Sequence, residues 1–183
     1  AAAQEQRAPW PPPVAGSTLV SEAARWEKIG ERFDLPAVGE LAMAFGIDPL
    51  HSEILQDGRN LLLAAARDGR LVVLKIMPRE EADLGALQAM VDWTRFLATQ
   101  TLPVAEPLPS RQGRWIEAVT LGSLTYAALC HRRVGLSTVP LEWPPARMDE
   151  LGALMGQMHR ATRDYIVPPG APRRYSCLER RWL

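Results

Sequence analysis

The apolar positions change period along the chain, from helical spacing to strand alternation and back. Trp26, Ile29 and Phe33 recur at i, i+3 and i+7, the stripe of an amphipathic helix. Ser21 can cap that helix and Glu22 sits in its first turn, where the helix dipole favours acid. A second short helix is expected over 38–45, with Gly46 as its stop. The stretch NLLLAAARDGRLVVLKIM, residues 60–77, then reads as two strands joined at Asp68-Gly69. Both central residues of a type I′ turn need positive φ, which Asp-Gly supplies. A loop that tight sets Arg67 against Arg70, Ala65 against Val72 and Leu62 against Lys75. Alternation places Lys75 on one face with Val73 and Leu71, opposite Leu62, Ala64 and Ala66, whose alanines leave space above the sheet. Residues 51–56 supply a preceding strand, with Asp57-Gly58-Arg59-Asn60 as the intervening turn.

Helical spacing returns over 80–100, with Leu84, Leu87, Val91, Thr94 and Leu97 as the stripe and Glu80, Glu81 and Asp83 at the start. A proline-punctuated connection follows over 102–109. One or two strands are expected within 113–121 and 125–135, then a loop over 137–145. A last helix is expected over 146–165, with Leu151, Leu154, Met155, Met158 and Thr162 on its apolar face. Strands paired in hairpins with a helix packed on one face make an α+β fold rather than a βαβ sandwich.

Composition narrows the function classes. In 183 residues, 47% are hydrophobic and 23% charged, as in folded globular chains. The formal net charge is zero, which gives no global attraction to nucleic acid or an anionic membrane surface. The longest purely apolar run, Leu61 to Ala66, is far shorter than a membrane span, and no signal-peptide pattern opens the chain. Cys130 and Cys177 have no metal-ligand spacing and read as free thiols of a reducing cytoplasm, with a disulfide as the alternative. The expected organisation is a Pro-rich tail over 1–16, a helical segment over 17–47, a sheet domain over 48–135, and a linker with further helix over 136–183. The short basic clusters at 131–133, 173–174 and 180–181 read as solvated surface. No nucleophile–base order and no metal site is legible.

Lys75 is the residue that breaks the pattern. Nineteen of the twenty-one basic residues are arginine, and Lys28 is the only other lysine. Arginine and lysine differ where a compact, movable point charge is wanted. A lysine on an inward strand face needs an anion, because desolvating it alone is costly. The alternative is an edge strand from which Lys75 snorkels to water. Gly58 lies 17 positions before Lys75, and the hairpin between them folds both toward one end of the sheet. A glycine turn, a strand, a strand with V-x-x-K, then a helix is the layout of a kinase small lobe.

From Gly58 to His159 the chain resembles the N-terminal lobe of the aminoglycoside phosphotransferase / homoserine kinase-like family, small-molecule kinases with a protein-kinase-like fold. The pieces that carry the resemblance are GRN (58–60), RLVVLKIMP (70–78), TRFLATQTLPVAEPL (94–108) and LGALMGQMHRAT (151–162), over roughly residues 50–165. The resemblance implies ATP, with Mg2+ in the complete enzyme, and a hydroxyl-bearing small-molecule acceptor. It implies that Lys75 pairs the nucleotide phosphates and that Val73 lines the adenine pocket. Gly58, Arg59 and Asn60 would lie over the phosphates, and residues 119–124 would approach the hinge. It gives His159 a structural hydrogen-bonding role.

The sequence departs from the family in three respects. The glycine loop is reduced to Gly58. The carboxylate partner of Lys75, typically Glu on the following helix around 88–92, is represented there only by Asp92, with Glu80, Glu81 and Asp83 as alternatives that read better as a solvated first turn. The His-x-Asp catalytic loop and the metal-binding Asp are absent from these residues. The chain opens without Met and stops within a helical pattern, so a truncated kinase that does not catalyse by itself is expected. A pseudokinase-like nucleotide-binding or interaction module is the alternative.

Overall fold

The structure, a computed structural model, describes residues 22–78, 84–122, 124–134 and 144–169. Two short helices open it, α1 (Glu22–Gly30) and α2 (Leu35–Ala44), followed by a 3-10 turn, Pro49–His51. Strands β1 (Glu53–Asp57), β2 (Leu61–Arg67) and β3 (Arg70–Pro78) precede helix α3 (Leu84–Thr99). Strands β4 (Pro107–Leu108), β5 (Glu117–Leu121) and β6 (Leu124–Arg132) complete the sheet, and α4 (Pro145–Arg163) follows. The sheet runs β1-β2-β3-β6-β4, with β5 also paired to β6 and each of these pairings antiparallel.

Local chemistry explains most of the boundaries. Asp34 caps α2 by accepting from the Ala37 amide at 3.0 Å, which satisfies one of the free donors of the first turn. Gly46 ends this helical segment with φ +71°, a left-handed conformation glycine adopts without strain. The Arg111 side chain lies where a Cβ at Gly46 would go, and the Arg111 amide donates to the Ala44 carbonyl at 2.9 Å. Gly46→Ala should therefore destabilise by about 1–3 kcal/mol, measured as a drop in unfolding temperature.

The Asp68-Gly69 hairpin forms with φ +49° and +74°. Its register is the expected one: Arg67 with Arg70, Ala65 with Val72, Leu62 with Lys75. Residue 51 belongs to the 3-10 turn, so the first strand begins at Glu53. Ser21, the acids at 80–83 and most of the 137–145 loop lie outside the described residues.

The helices cover both faces of the sheet rather than one. Ile29, Phe33, Val38, Leu41 and Phe45 from the α1–α2 region pack with Leu61, Leu63, Val72, Leu74 and Ile76 in one core. The expected 17–47 helical segment thus shares its core with the sheet, and Tyr126 ties the two through the Asp34 amide, which donates to its hydroxyl at 3.1 Å. On the other face, Leu87 and Met90 of α3 pack on Met77, Ala127 and Leu129. Val91 and Leu97 of the α3 stripe are fully buried, whereas Leu84 is exposed.

Helix α4 stands at the margin and buries no residue completely. It meets α3 through Trp93 Nε1, which donates to Thr162 Oγ1 at 3.1 Å, and through the Phe96–Tyr165 ring contact. Its expected apolar face is therefore only partly covered: Leu151 and Met155 are exposed. His159 is exposed, and its side chain forms no hydrogen bond among the described residues. No helix among the described residues is long and apolar enough to cross a membrane.

Candidate nucleotide site on the open face of the sheet

Lys75 sits in an interior strand. β3 is hydrogen-bonded to β2 on one side and β6 on the other, which removes the edge-strand alternative. The pairing builds its surroundings row by row. Lys75 lies between Leu62 and Leu129; the next row holds Val73 between Ala64 and His131. Paired residues project to the same face of a sheet, so Lys75, Val73, Leu71, Ala64, Ala66 and His131 share one surface. The α3 cluster of Met77, Ala127 and Leu129 covers one end of that surface. Beyond Lys75 the face is floored by Val73 and small alanines. Lys75 is half-buried, at the junction between the covered end and the open strip.

Lys75 has no carboxylate within ion-pairing distance among the described residues. Asp92, the expected partner, accepts instead from Gln88 Nε2 at 3.0 Å and lines an outward groove with Arg95, Phe96, Trp115 and Tyr165. The reason is helical phase. Leu87, Met90 and Val91 take the sheet-facing side of α3, and Asp92 falls beyond it. The side chain's shortness is secondary to this direction.

The glycine turn lies at the same end of the sheet as Lys75. Asp57 pairs with Leu61, and Leu61 with Ile76, so Gly58, Arg59 and Asn60 sit about two strand spacings from the lysine strand, roughly 10 Å. A Cβ at Gly58 would meet only Gln56 at ordinary contact distance, 3.4 Å. Neither crowding nor backbone conformation requires glycine here. The turn is buttressed from the helical layer: Arg32 Nη1 donates to the Asp57 carbonyl at 3.0 Å.

Residues 119–124 are not at the exit of the sheet. Thr120 pairs with Thr125 and Leu121 with Leu124 in the β5–β6 hairpin, at the Tyr126–Pro78 end. The chain leaves the sheet toward α4 after Arg132, beside Val72.

Two of the three residues at 131–133 are not solvated surface; only Arg132 is exposed. His131 is half-buried, and its pKa is pushed down to about 4, first by burial and then by the neighbouring positive charge of Lys75. Arg132 pairs with Glu106 at 2.8 Å, and Arg133 with Glu53 at 3.1 Å with its side chain only 13% exposed. Strand alternation on an apolar run (Ala127 to Cys130) is the signal that could have placed His131 on the lysine face.

The depressed His131 pKa sets a pH dependence. The unfolded chain takes up a proton at the ordinary imidazole value while the folded chain stays neutral until about pH 4. This contribution to stability is complete above the ordinary value and is lost as pH falls to about 4. His131→Leu should flatten the unfolding-temperature profile between about pH 6.5 and 4; chemical denaturation at both pH values measures it.

No group of three or more His, Cys, Asp or Glu suited to a metal ion occurs among the described residues. The face carries one half-buried ammonium, a glycine turn with room beside it, and an apolar strip of Val73 and alanines.

Known proteins resemble this chain in sequence and in fold. The chain is homologous to amicoumacin kinase of Bacillus subtilis (strain 168), 27% identical over 130 residues that make up 70% of this chain and 39% of that protein. Among solved structures it resembles the amicoumacin kinase hAmiN in complex with AMP-PNP, Ca2+ and Ami, with a TM-score of 0.73 and 22% identity. That match covers 85% of this chain and 48% of the other. A microcompartment-associated aminopropanol kinase gives 0.65 and 17%, covering 80% and 47%. The chain thus has a kinase-like α+β fold and spans less than half the length of each of these kinases. No protein-family model matches it.

Proposed function

We propose that this chain is the ATP-binding lobe of a small-molecule kinase. The observation that carries the proposal is Lys75: an interior-strand ammonium, half-buried, with no carboxylate partner among the described residues, facing an alanine-floored strip. A buried cation in that position is stabilised by a bound anion. In our reading the ATP phosphates take Lys75, the Gly58–Arg59–Asn60 turn covers them, and the adenine lies along Val73. Asp92, held by Gln88 on the outer groove, has no part in it.

Homology to kinases of amicoumacin-type and structural likeness to an aminopropanol kinase support a hydroxyl-bearing small molecule as acceptor, of aminoglycoside, homoserine or choline type. Transfer of the γ-phosphate needs a group to orient that hydroxyl and carboxylates to hold Mg2+. We assign both to residues that are not among these 183, whose sequence lacks the catalytic loop and the metal-binding Asp, so this stretch binds nucleotide without turning it over. A cytoplasmic setting, with neither nucleic acid nor membrane as partner, accompanies this assignment.

Lys75 without a carboxylate equally favours a second reading, a non-catalytic nucleotide-binding module on the same scaffold. Both predict ATP binding, and only the first predicts phosphoryl transfer to an amino alcohol or aminoglycoside once the catalytic lobe is present. The decisive first measurement is thermal unfolding with and without millimolar Mg-ATP. An upward shift is expected, since a ligand that binds only the folded state raises its stability. No shift at saturating nucleotide would remove both readings.

A further inference from the structure

We infer that the Glu53–Arg133 ion pair is a clasp across the base end of the nucleotide face, and that ATP binds only when the clasp opens. The inference rests on the nucleotide reading of the Lys75 face.

The register fixes where the pair lies. Glu53 pairs with Ala64, Ala64 with Val73, and Val73 with His131, so one row crosses β1, β2, β3 and β6. Arg133 continues β6 by one residue, its amide donating to the Leu71 carbonyl at 3.0 Å. Two positions past His131, it projects to the same face. Three strand spacings, roughly 14 Å, separate the backbones that carry Arg133 and Glu53. Yet Arg133 Nη1 reaches Glu53 Oε2 at 3.1 Å. The two side chains therefore meet over β2 and β3, above Ala64, Ala66, Leu71 and Val73. The alanines ease the crossing of β2, where neither side chain reaches beyond Cβ, while on β3 the bridge passes Leu71 and Val73.

Arg133 is 13% exposed and Glu53 49%, so the guanidinium is laid against the sheet rather than extended into water. A flat ring resting on Val73 needs that same space. Ring and bridge exclude one another. The pair also ties the first strand to the start of the connection toward α4, so opening it frees both sides of the base end at once.

Competition of this kind has a sign that a merely structural tie lacks. If the closed clasp dominates the free protein, apparent ATP affinity is reduced by the fraction that is open. Breaking the pair should then tighten ATP. We expect Glu53→Gln, and separately Arg133→Gln, to lower the Kd for Mg-ATP about two- to fivefold, the range set by a partly screened ion pair. The charge-reversed double variant, Glu53→Arg with Arg133→Glu, should return the wild-type value. Calorimetric titration of the wild type, the three clasp variants and Lys75→Met reads these affinities, with unfolding temperature confirming that each is folded. Having two single variants means that one misfolded protein does not remove the test.

Unchanged or weaker ATP binding in the folded single variants overturns the clasp. If the wild type binds ATP in a Lys75-dependent way while the clasp variants match it, the clasp alone falls. If the wild type does not bind ATP, the nucleotide reading falls and takes the clasp with it.

Discussion

Replacing Lys75 with methionine is expected to remove most ATP binding while leaving the unfolding temperature unchanged or slightly raised. The two effects part because of where the residue sits. Lys75 is half-buried between Leu62 and Leu129 and has no ion-pair partner among the described residues, so its loss breaks no described ion pair. Methionine has similar length, fills the same space without a charge to desolvate, and is tolerated in apolar surroundings. The nucleotide, by contrast, loses a charge-assisted hydrogen bond, about 1.5–3 kcal/mol, or roughly a ten- to hundredfold weaker Kd. Turnover in a protein that includes the catalytic lobe should fall at least as far, because positioning the phosphates is most of what such a site supplies. Lys75→Arg should not rescue it: the planar guanidinium is not a compact point charge on a flexible stem. Titration of Mg-ATP alongside thermal unfolding checks both limbs. A variant with wild-type ATP affinity would remove Lys75 from the site.

One residue earlier in the same strand the expectation reverses. Leu74 points to the opposite face, is completely buried, and packs in the core formed with α1 and α2. Leu74→Ala removes three heavy atoms from a space bounded by two helices and an interior strand, which cannot close fully over the gap. The expected destabilisation is about 2–5 kcal/mol, a fall of roughly 5–15 °C in unfolding temperature for a domain of this size. At temperatures where the protein remains folded, its ATP affinity should stay near that of the wild type, since the lysine face is untouched. A large loss of ATP binding by folded Leu74→Ala would mean that the two faces are coupled through the strand. Adjacent residues thus separate fold from function, one by stability and the other by ligand affinity.

The sequence by itself determined what neighbours in the chain decide. The β2–β3 register followed from Asp68-Gly69, because a two-residue turn with both φ positive leaves one way to pair the flanking strands. The helices at 22–30, 35–44, 84–99 and 145–163 followed from apolar period and a glycine stop, to within a few residues. Lys75 stood out because a cation interrupts an apolar strand whatever lies next to it. Tertiary structure decided the rest. β6 inserts beside β3, although more than forty residues separate them, and this makes Lys75 an interior residue. Nothing local encodes that choice, since burial would reward any apolar strand in the same place. The phase of α3 on the sheet turns Asp92 away from Lys75. The strand order β1-β2-β3-β6 sets Glu53 and Arg133 on one face, within reach of each other across two intervening strands and 80 positions of sequence. Local sterics and hydrogen bonds write the elements into the sequence. Which element lies against which depends on contacts that exist only once the whole sheet has formed.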